Sequence, residues 1–404
     1  MEKLKENSLT ESKNIKMKIR EKFKNYFTTS AILAGTILGV GLFGLPYVFS
    51  TSGFFVGILF LIICCALTTI THLVFGEALL RTPGEHRAPG LAKIYLGKPG
   101  YYLATVASFI SLSGVLLAYL ILGGQFIQNF SQIINIDIGI NMATIIFWII
   151  GILGITMGIR FIGIGEVLGM ILIMILIIAY LIWGLPGLKI HSFTSLDLKN
   201  FFLPYGILLF SLSGGSAVPE IFNFFKNKGI SKDQINFKTP IIWGSIIPTI
   251  FYLIFIIGAF GLFPNKIIPV DLVPGLLNSN PILAIATNIL GLVLILTSYF
   301  ILGLGFRNIL FFDLKFKRIL SWFIPIFFPL FLFFIQNKGF ITIIGFLGAF
   351  ILGIETVITF IVHHLSQKYG KKMPAYQIKL PMLIRIILII LLLTGAGLEI
   401  IKFL

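Results

Sequence analysis

Long apolar stretches alternate with short polar ones along the whole chain. Roughly eleven of the apolar stretches are long enough to cross a bilayer as a helix, which takes about 20 residues. They lie at 28–49, 54–80, 100–130, 141–158, 161–183, 201–225, 239–262, 281–306, 319–336, 339–361 and 382–403. The pattern predicts an all-α integral membrane protein.

Composition agrees with this pattern. Of the 404 residues, 57% are hydrophobic and only 11% are charged, whereas soluble proteins carry about 25% charged residues. Residues 1–24 are too polar for a secretory signal peptide, so we expect the first apolar stretch to stay in the membrane. The two cysteines, Cys64 and Cys65, are adjacent in an apolar run and are interpreted as packing residues, with a redox role as the minor alternative.

The net charge of +16 is distributed unevenly across the membrane. With the N-terminus placed inside, 26 of the 31 Lys and Arg residues fall on the cytosolic side. This bias predicts a cytosolic N-terminus, an external C-terminus and a basic cytosolic tail over residues 1–27. The basic charge is then a signal of topology. A nucleic-acid partner is not expected, because the chain has no basic face with interleaved aromatic residues.

The first stretch contains "GTILGVGLFGLP", Gly35 to Pro46, with four glycines in a segment that lipid should keep helical. Every backbone N–H and C=O group in hydrocarbon needs a partner. Clustered glycines either let another helix approach closely, or let the helix unwind and offer its backbone to a polar guest. This stretch alone leaves both readings open.

A second interrupted stretch favours unwinding. "LFSLSGGSAVPE", Leu209 to Glu220, lies in the sixth predicted span, and its Gly-Gly pair followed by proline makes a continuous helix unfavourable. The first and sixth spans are five apart and therefore run in opposite directions. Paired breaks in inverted halves are typical of secondary transporters. Free N–H groups at one broken end and free C=O groups at the other suit an amino acid zwitterion.

These two motifs resemble the amino acid–polyamine–organocation superfamily, and most of all its amino acid/auxin permeases and aromatic amino acid permeases. The resemblance implies a secondary active transporter in the plasma membrane that works by alternating access. It implies a five-plus-five inverted repeat with broken first and sixth helices and one extra helix. The domains would be 28–183 for the first repeat, 184–200 for an external loop, 201–362 for the second repeat and 380–404 for the eleventh helix.

The resemblance also implies which residues contact an amino acid substrate, for which the apolar surroundings favour a neutral side chain. The first break would bind the carboxylate, the sixth would face the amine and the side chain, and the third span would add a tyrosine hydroxyl. These residues are Thr36, Ile37, Gly39, Val40, Gly41, Tyr119, Phe210, Ser211, Ser213 and Gly214. The alternative for each serine is a hydroxyl bonded back to its own helix, and for Tyr119 a packed side chain bonded to a carbonyl.

A cation site is implied between the first and eighth spans. Its ligands would be the carbonyls of Gly35, Leu38 and Leu294 and the hydroxyls of Thr297 and Ser298. The three eighth-span residues have i, i+3, i+4 spacing and share one helix face. Na⁺ is favoured as the coupling ion and H⁺ is the alternative, because proton-coupled members of the superfamily carry a similar Thr-Ser pair. No cofactor other than this possible Na⁺ is expected.

Ionisable residues inside spans are candidates for function. Glu166 and Glu220 could carry a proton or latch the inner gate, and the alternative for each is a structural pair with Arg160, Arg307 or Arg385. Glu355 lies in the cytosolic half of the tenth span. Glu77 and Arg81 are expected to form an ordinary surface pair. His72 is either a proton carrier or a bonded packing residue, and His363 and His364 are expected to be solvated.

Three other functions compete with transport. The chain could be a membrane amino acid sensor that binds without net transport. A long structured tail would favour a sensor, whereas the N-terminal tail here is short and rich in lysine. A divalent-metal transporter of the same fold would need Asp and Asn in the first break and Met in the sixth, and neither break has them. An enzyme is not expected, since no span carries a cluster of His, Asp or Cys and no phosphate-binding glycine loop precedes a lysine.

Overall fold

The computed structural model describes residues 20–21, 23–157, 159–189, 197–230, 236–264 and 267–403. The side chains of residues 156–168, 312–313 and 402–403 lie outside that description, and Glu166 is among them. No β-strand occurs in the described ranges. The predicted all-α class is therefore confirmed for the described chain.

Fifteen helices account for most of the described residues. In chain order they are α1 Phe23–Ile37, α2 Leu45–Ser52, α3 Phe54–Arg81, α4 Ala88–Ile133, α5 Ile140–Met157, α6 Ile159–Gly184, α7 Leu203–Ser211, α8 Ala217–Asn227, α9 Lys238–Leu262, α10 Leu272–Leu277, α11 Pro281–Asn308, α12 Arg318–Ile335, α13 Phe340–Phe346, α14 Gly353–Tyr369 and α15 Met382–Phe403. A 3₁₀ turn, Val40–Gly44, precedes α2, and a π-helical turn, Leu347–Leu352, joins α13 to α14.

The length and apolar character of the helices indicate a protein that crosses the membrane many times. Within the described residues, eight helical segments are long and apolar enough to span a bilayer, and the bent pair Phe23–Ile37 and Val40–Ser52 would make a ninth. A further apolar helix over Ile140–Ile155 is shorter. Each of the eleven predicted stretches holds a helix or a pair of helices.

Both predicted interruptions are present. The axes of Phe23–Ile37 and Val40–Ser52 differ by 49°. The helix of the sixth stretch stops at Ser211 and resumes at Ala217. The glycine and proline clusters therefore mark real breaks, because neither segment forms a continuous rod.

The long helix α4 begins well before the predicted third span. Its first turns, from Ala88, lie in a stretch that the charge pattern assigned to the loop after the second span. Gly97 then adopts a positive φ of 70°, a conformation that side chains disfavour, and Pro99 follows it. The apparent single helix is therefore two helices that meet at Gly97.

The predicted surface pair of Glu77 and Arg81 is wrong, because the Glu77 side chain is fully buried. Arg81 Nε donates to its carboxylate at 2.8 Å, and His363 Nε2 lies 3.1 Å from the other carboxylate oxygen. His363 is also fully buried, contrary to expectation, whereas His364 is exposed as expected. The reason is that α14 continues to Tyr369, beyond the predicted end at residue 361, and packs against α3.

The segment that follows α14 covers the buried side chains of Glu77, Arg81 and His363. The backbone N–H of Ile378 donates to Glu77 at 2.6 Å, and the Tyr376 hydroxyl donates to the Leu73 carbonyl at 2.6 Å. The Arg81 carbonyl accepts from the N–H groups of Lys371 and Lys372. Residues 370–381 thus fold back over the end of α3 and exclude water from its ion pair.

Replacing Glu77 tests this arrangement. Removing one partner of a buried ion pair leaves uncompensated charge and typically costs about 3–5 kcal/mol. Glu77→Ala should therefore lower the Tm of the purified protein in detergent by many degrees. Glu85→Ala is the control, because Glu85 pairs with Lys226 where both side chains are more than half exposed, and such pairs contribute about 0–1 kcal/mol. Equal Tm values for the two variants would contradict the buried network.

Candidate functional site

The first break has little regular structure. The N–H of Leu38 makes the last bond of α1, to Ala34 at 2.9 Å, and Gly39 is extended with φ −142° and ψ −152°. The chain then re-forms a helix through the Val40–Gly44 turn, and Pro46 occupies the first turn of α2. Proline is tolerated there because the first helical N–H groups have no partner within the helix. The sequence thus ends one helix and starts another at Gly39.

The second break spans five residues, Leu212 to Ser216. The N–H of Ser213 bonds back to the Phe210 carbonyl, and the N–H of Ala217 bonds to the Gly214 carbonyl. The Gly214 N–H between them points out of the chain and donates to Nε2 of His72 at 3.1 Å. A side chain of α3 therefore binds one backbone N–H group of this break.

The two breaks pack directly on one another. A Cβ atom built on Gly41 would lie 2.3 Å from Ser211 Oγ and 2.8 Å from Ser211 Cα. A Cβ on Gly214 would lie 2.6 Å from Leu33 and 2.9 Å from Ile37. Both readings of the glycines therefore hold, since these glycines allow close approach at the same place where the helices unwind.

Tyr252 of α9 joins the two breaks. Its hydroxyl oxygen lies 2.5 Å from the Ile37 carbonyl oxygen and 3.0 Å from the Ser211 carbonyl oxygen. The backbone N–H of Gly39 is bonded to the same hydroxyl. A hydroxyl has one proton, so it can donate to only one of the two carbonyls at a time. The carbonyl ends of α1 and α7 thus share a single donor.

Tyr119 of α4 binds the first break from another side. Its hydroxyl is hydrogen-bonded to the Val40 backbone and to the Ser298 side chain. The side chain is buried, and a Cβ on Gly39 would lie 3.0 Å from its oxygen. Tyr119 thus connects the first break to α11, and its contact with a substrate stays a prediction.

A small cavity of about 80 Å³ lies beside Tyr119, between α1, α4, α6 and α11. All five residues of the predicted cation site line it, namely Gly35, Leu38, Leu294, Thr297 and Ser298. Thr36 and Gly39 line it as well. The Thr297 hydroxyl donates to the Leu294 carbonyl at 2.8 Å. The sequence-predicted residues of the first and eighth spans are thus brought together around one space.

The serine and threonine hydroxyls of the predicted substrate site are held locally. Thr36 bonds to the Ile32 carbonyl at 2.9 Å, and Ser211 bonds to the Ile207 carbonyl at 2.8 Å. For Ser211 this is the helix-bonded alternative that the sequence left open, and Thr36 makes a bond of the same kind. Phe210 is buried and Ser213 is half-buried at the sixth break, so the predicted residues of that break do lie together.

The charged candidates are farther from the breaks. The Glu220 carboxylate lies in the first turn of α8, half exposed, 3.7 Å from an Arg87 nitrogen. Its partner is therefore none of the arginines considered from the sequence. The Glu355 carboxylate is hydrogen-bonded to the Ser108 side chain. Glu166 lies outside the described side chains, and its assignment stays a prediction.

The loop that contains α10 is tied to the end of α4 by Asp271. Its two carboxylate oxygens lie 2.8 and 3.1 Å from Asn129 Nδ2, and it caps α10 through the Val273 N–H. Burial raises the pKa of Asp271 above its ordinary value, while the bonds from Asn129 and Val273 oppose that change. Asp271 therefore fixes the α10 loop to the end of α4 through side-chain hydrogen bonds.

Sequence reasoning missed two residues that contact the breaks. Tyr252 lies in the apolar run "PTIFYLIF". The sequence showed only that a hydroxyl lies in the middle of a span, and it did not indicate what that hydroxyl contacts. His72 was noticed as a histidine in a span, but nothing in the sequence connected it to Gly214, 142 residues away. Both contacts depend on how helices pack, which the periodicity of a single helix does not encode.

Comparison with known proteins fits this geometry. The family model of tryptophan/tyrosine permeases matches residues 22–400. The chain belongs to the tryptophan/tyrosine permease family. The resemblance seen in the two glycine-rich motifs is confirmed, and so is the expectation of a membrane permease and not an enzyme.

Among its relatives, glutamine transporter 2 of Aliivibrio fischeri is 27% identical over 58% of this chain and 60% of its own length. The tyrosine-specific transport system 2 of Haemophilus influenzae is 23% identical over 58% of each chain. The amino acid transporter AVT1D of Arabidopsis thaliana is 24% identical over 49% of this chain and 38% of its own. The matches thus span about 60% or less of these curated relatives.

Gly41 provides a test of the contact between the breaks. In Gly41→Ala the new methyl group meets the Ser211 backbone, and overpacking of this kind typically costs about 1–3 kcal/mol. We expect a lower Tm in the ligand-free permease. The matched control is Gly305→Ala in α11, where a Cβ would have no neighbour within 4 Å. Its Tm should be unchanged or slightly higher, because alanine favours a helix. A tolerated Gly41→Ala would mean that the breaks do not touch.

Proposed function

We propose that this permease is a secondary active transporter that moves an amino acid, with neutral side chains favoured, by alternating access. The observation that carries the proposal is the meeting of two broken spans at Tyr252, where two carbonyl helix ends share one hydroxyl proton. Such broken helices line the substrate sites of many secondary transporters. The relatives named for glutamine and tyrosine transport support an amino acid as the cargo.

The chemistry of the breaks suits a zwitterion. The carbonyls of Ile37 and Ser211 end α1 and α7, where the helix dipole is negative and favours an ammonium group. An ammonium has three donors and could bond both carbonyls, which the single hydroxyl of Tyr252 cannot do. The helix starts after each break are positive and favour a carboxylate. Thr36, Gly39, Val40 and Gly41 would then face the carboxylate in this proposal.

The proposed architecture is an inverted repeat. The first repeat would comprise residues 28–183 and the second residues 201–362, with 184–200 outside and 380–404 as an eleventh spanning helix. The basic residues would keep the N-terminus in the cytosol and the C-terminus outside. The unit that contains both broken spans would rock against the remaining helices, exposing the site to each side of the plasma membrane in turn.

The coupling ion is proposed to be Na⁺, with H⁺ as the alternative. The cavity beside Tyr119 supports Na⁺ because its lining offers hydroxyl and carbonyl oxygens. Thr297 and Ser298 would supply hydroxyls, and Gly35, Leu38 and Leu294 would supply carbonyls. Within the described residues no group of His, Cys, Asp and Glu could hold a metal ion. A hard, weakly bound monovalent cation is therefore the best match for these neutral oxygens.

Uptake into proteoliposomes tests the proposal. Each of the twenty amino acids is offered with an inward gradient of Na⁺, of H⁺, or of neither. We expect at least one amino acid to accumulate, and only when a cation gradient is imposed. Binding without accumulation or counterflow would instead support a membrane amino acid sensor, and the absence of both binding and uptake would contradict the proposal.

Variants of the cavity extend the same experiment. Thr297→Val and Ser298→Ala each remove one hydroxyl oxygen, so the Na⁺ concentration for half-maximal uptake should rise several-fold while Li⁺ and H⁺ are held constant. Thr356→Val is the control, because Thr356 bonds to the Leu352 carbonyl of its own helix and does not line the cavity. An unchanged Na⁺ dependence in both cavity variants would remove the cavity as the ion site.

A further inference from the structure

The imidazole ring of His72 is hydrogen-bonded to the break of the sixth span. It lies in the membrane-spanning helix α3, is buried, and accepts the Gly214 N–H through Nε2 at 3.1 Å. Gly214 lies between the two halves of the sixth span. The contact joins the break of this span to a helix outside the pair of broken spans.

The protonation state of His72 decides whether this contact can exist. A neutral imidazole has one donor and one acceptor nitrogen. Since Nε2 accepts from Gly214, the ring proton must be on Nδ1, which has no hydrogen-bond partner in the described part of the chain. A second proton would turn Nε2 into a donor that faces another donor. Protonation therefore breaks the bond and releases the Gly214 N–H.

The other titratable groups around α3 are engaged elsewhere. Along α3 itself, Glu77 is five residues away and is held by Arg81, His363 and the Ile378 N–H. Tyr376 reaches α3 from the segment after α14, but it donates to the Leu73 carbonyl. Cys64, eight residues earlier on α3, donates to the Tyr205 carbonyl at 3.8 Å, and Cys65 accepts from the Thr249 hydroxyl at 3.2 Å.

The elements packed against α3 are α2, α7, α8, α9 and α14. Their titratable residues are Tyr47 on α2, Tyr205 on α7, Glu220 and Lys226 on α8, Lys238 and Tyr252 on α9, and Glu355, His363, His364, Lys368 and Tyr369 on α14. None of these is hydrogen-bonded to His72 among the described residues. No fixed carboxylate therefore neutralises an imidazolium at this position.

We propose that His72 is a proton-binding site that is coupled to the substrate through Gly214. This inference rests on the proposed function. In the neutral state the imidazole accepts a hydrogen bond from the Gly214 N–H. In the protonated state that N–H is free, and a positive charge lies beside the break. Gly214 lies just before the start of α8, and the proposed function assigns a carboxylate preference to both helix starts. Both changes strengthen that preference, so proton and amino acid promote each other's binding, and the coupling is reciprocal.

The proposed proton site is separate from the cation cavity, since His72 does not line it. The direction of the pH effect follows from linkage. A bound carboxylate raises the affinity of His72 for its proton, so substrate affinity increases as pH falls through the interval in which His72 titrates. Outside that interval the substrate affinity does not change with pH. For a single coupled proton the change is at most about tenfold per pH unit.

Binding of a transported amino acid is measured against pH at constant Na⁺, in the full-length wild-type chain, His72→Gln and His364→Gln. Glutamine can still accept the Gly214 N–H through its side-chain oxygen, but it cannot titrate. We expect the wild type to bind more tightly at acidic pH and His72→Gln to show a flat profile. His364→Gln is the control for an exposed histidine and should follow the wild type. Equal pH slopes in the wild type and His72→Gln, or a flat wild-type profile, would overturn the inference.

A second readout needs no substrate. Hydrogen exchange of the backbone over residues 212–216 is compared at neutral and acidic pH, after correction for the intrinsic pH dependence of exchange. Acid should increase exchange several-fold in the wild type and leave His72→Gln unchanged. If no amino acid binds any variant, the proposed function fails, and this measurement alone decides the role of His72. Wild-type exchange that does not respond to acid contradicts it, even if His72→Gln fails to fold.

Discussion

Inside a bilayer a backbone N–H or C=O group without a partner is costly, and breaking two spanning helices creates several such groups. In this permease the partners come from side chains of three other helices. Tyr252 binds the Gly39 N–H and the carbonyls that end α1 and α7, Tyr119 binds the Val40 backbone, and His72 binds the Gly214 N–H. These three side chains satisfy part of the polar backbone that the breaks expose, and they stabilise the breaks to that extent.

The same side chains bear on how a substrate would bind at the breaks in the proposed function. Each of them uses one or two hydrogen bonds where a charged guest could make more. The contact of Gly41 with Ser211 and of Gly214 with Leu33 fills the space between the breaks. A guest at the breaks must therefore displace hydroxyl or imidazole contacts and separate two packed backbones. In the proposed transport cycle, binding at the breaks would therefore be linked to movement of the broken spans by this packing.

Much of this architecture could be predicted from the sequence, for identifiable reasons. Apolar length located the helices, and the Gly-Gly-Pro and Gly-rich clusters located both breaks, because these residues weaken helices wherever they occur. The i, i+3, i+4 spacing of Leu294, Thr297 and Ser298 placed them on one face, and that face does line the cavity. Local rules of helix geometry were sufficient for these features.

Contacts between distant segments were beyond those rules. The burial of Glu77 depends on residues 370–381 folding back over α3, and the role of Tyr252 depends on the rotation of α9 toward both breaks. In the same way, the helix that begins at Ala88 carries enough charge to look like a loop. Tertiary packing determines each of these three features, and the periodicity of the sequence does not predict tertiary packing.

The central claim is that the two breaks together hold both charged ends of one amino acid. The most direct measurement compares the binding of a transported amino acid with that of its decarboxylated amine and of its deaminated acid, at constant pH and Na⁺. The account predicts measurable affinity for the zwitterion and a loss of at least about tenfold for each analogue, since a charged hydrogen-bonded group contributes roughly 1.5–3 kcal/mol. An amine or an acid that binds as tightly as the amino acid would contradict it.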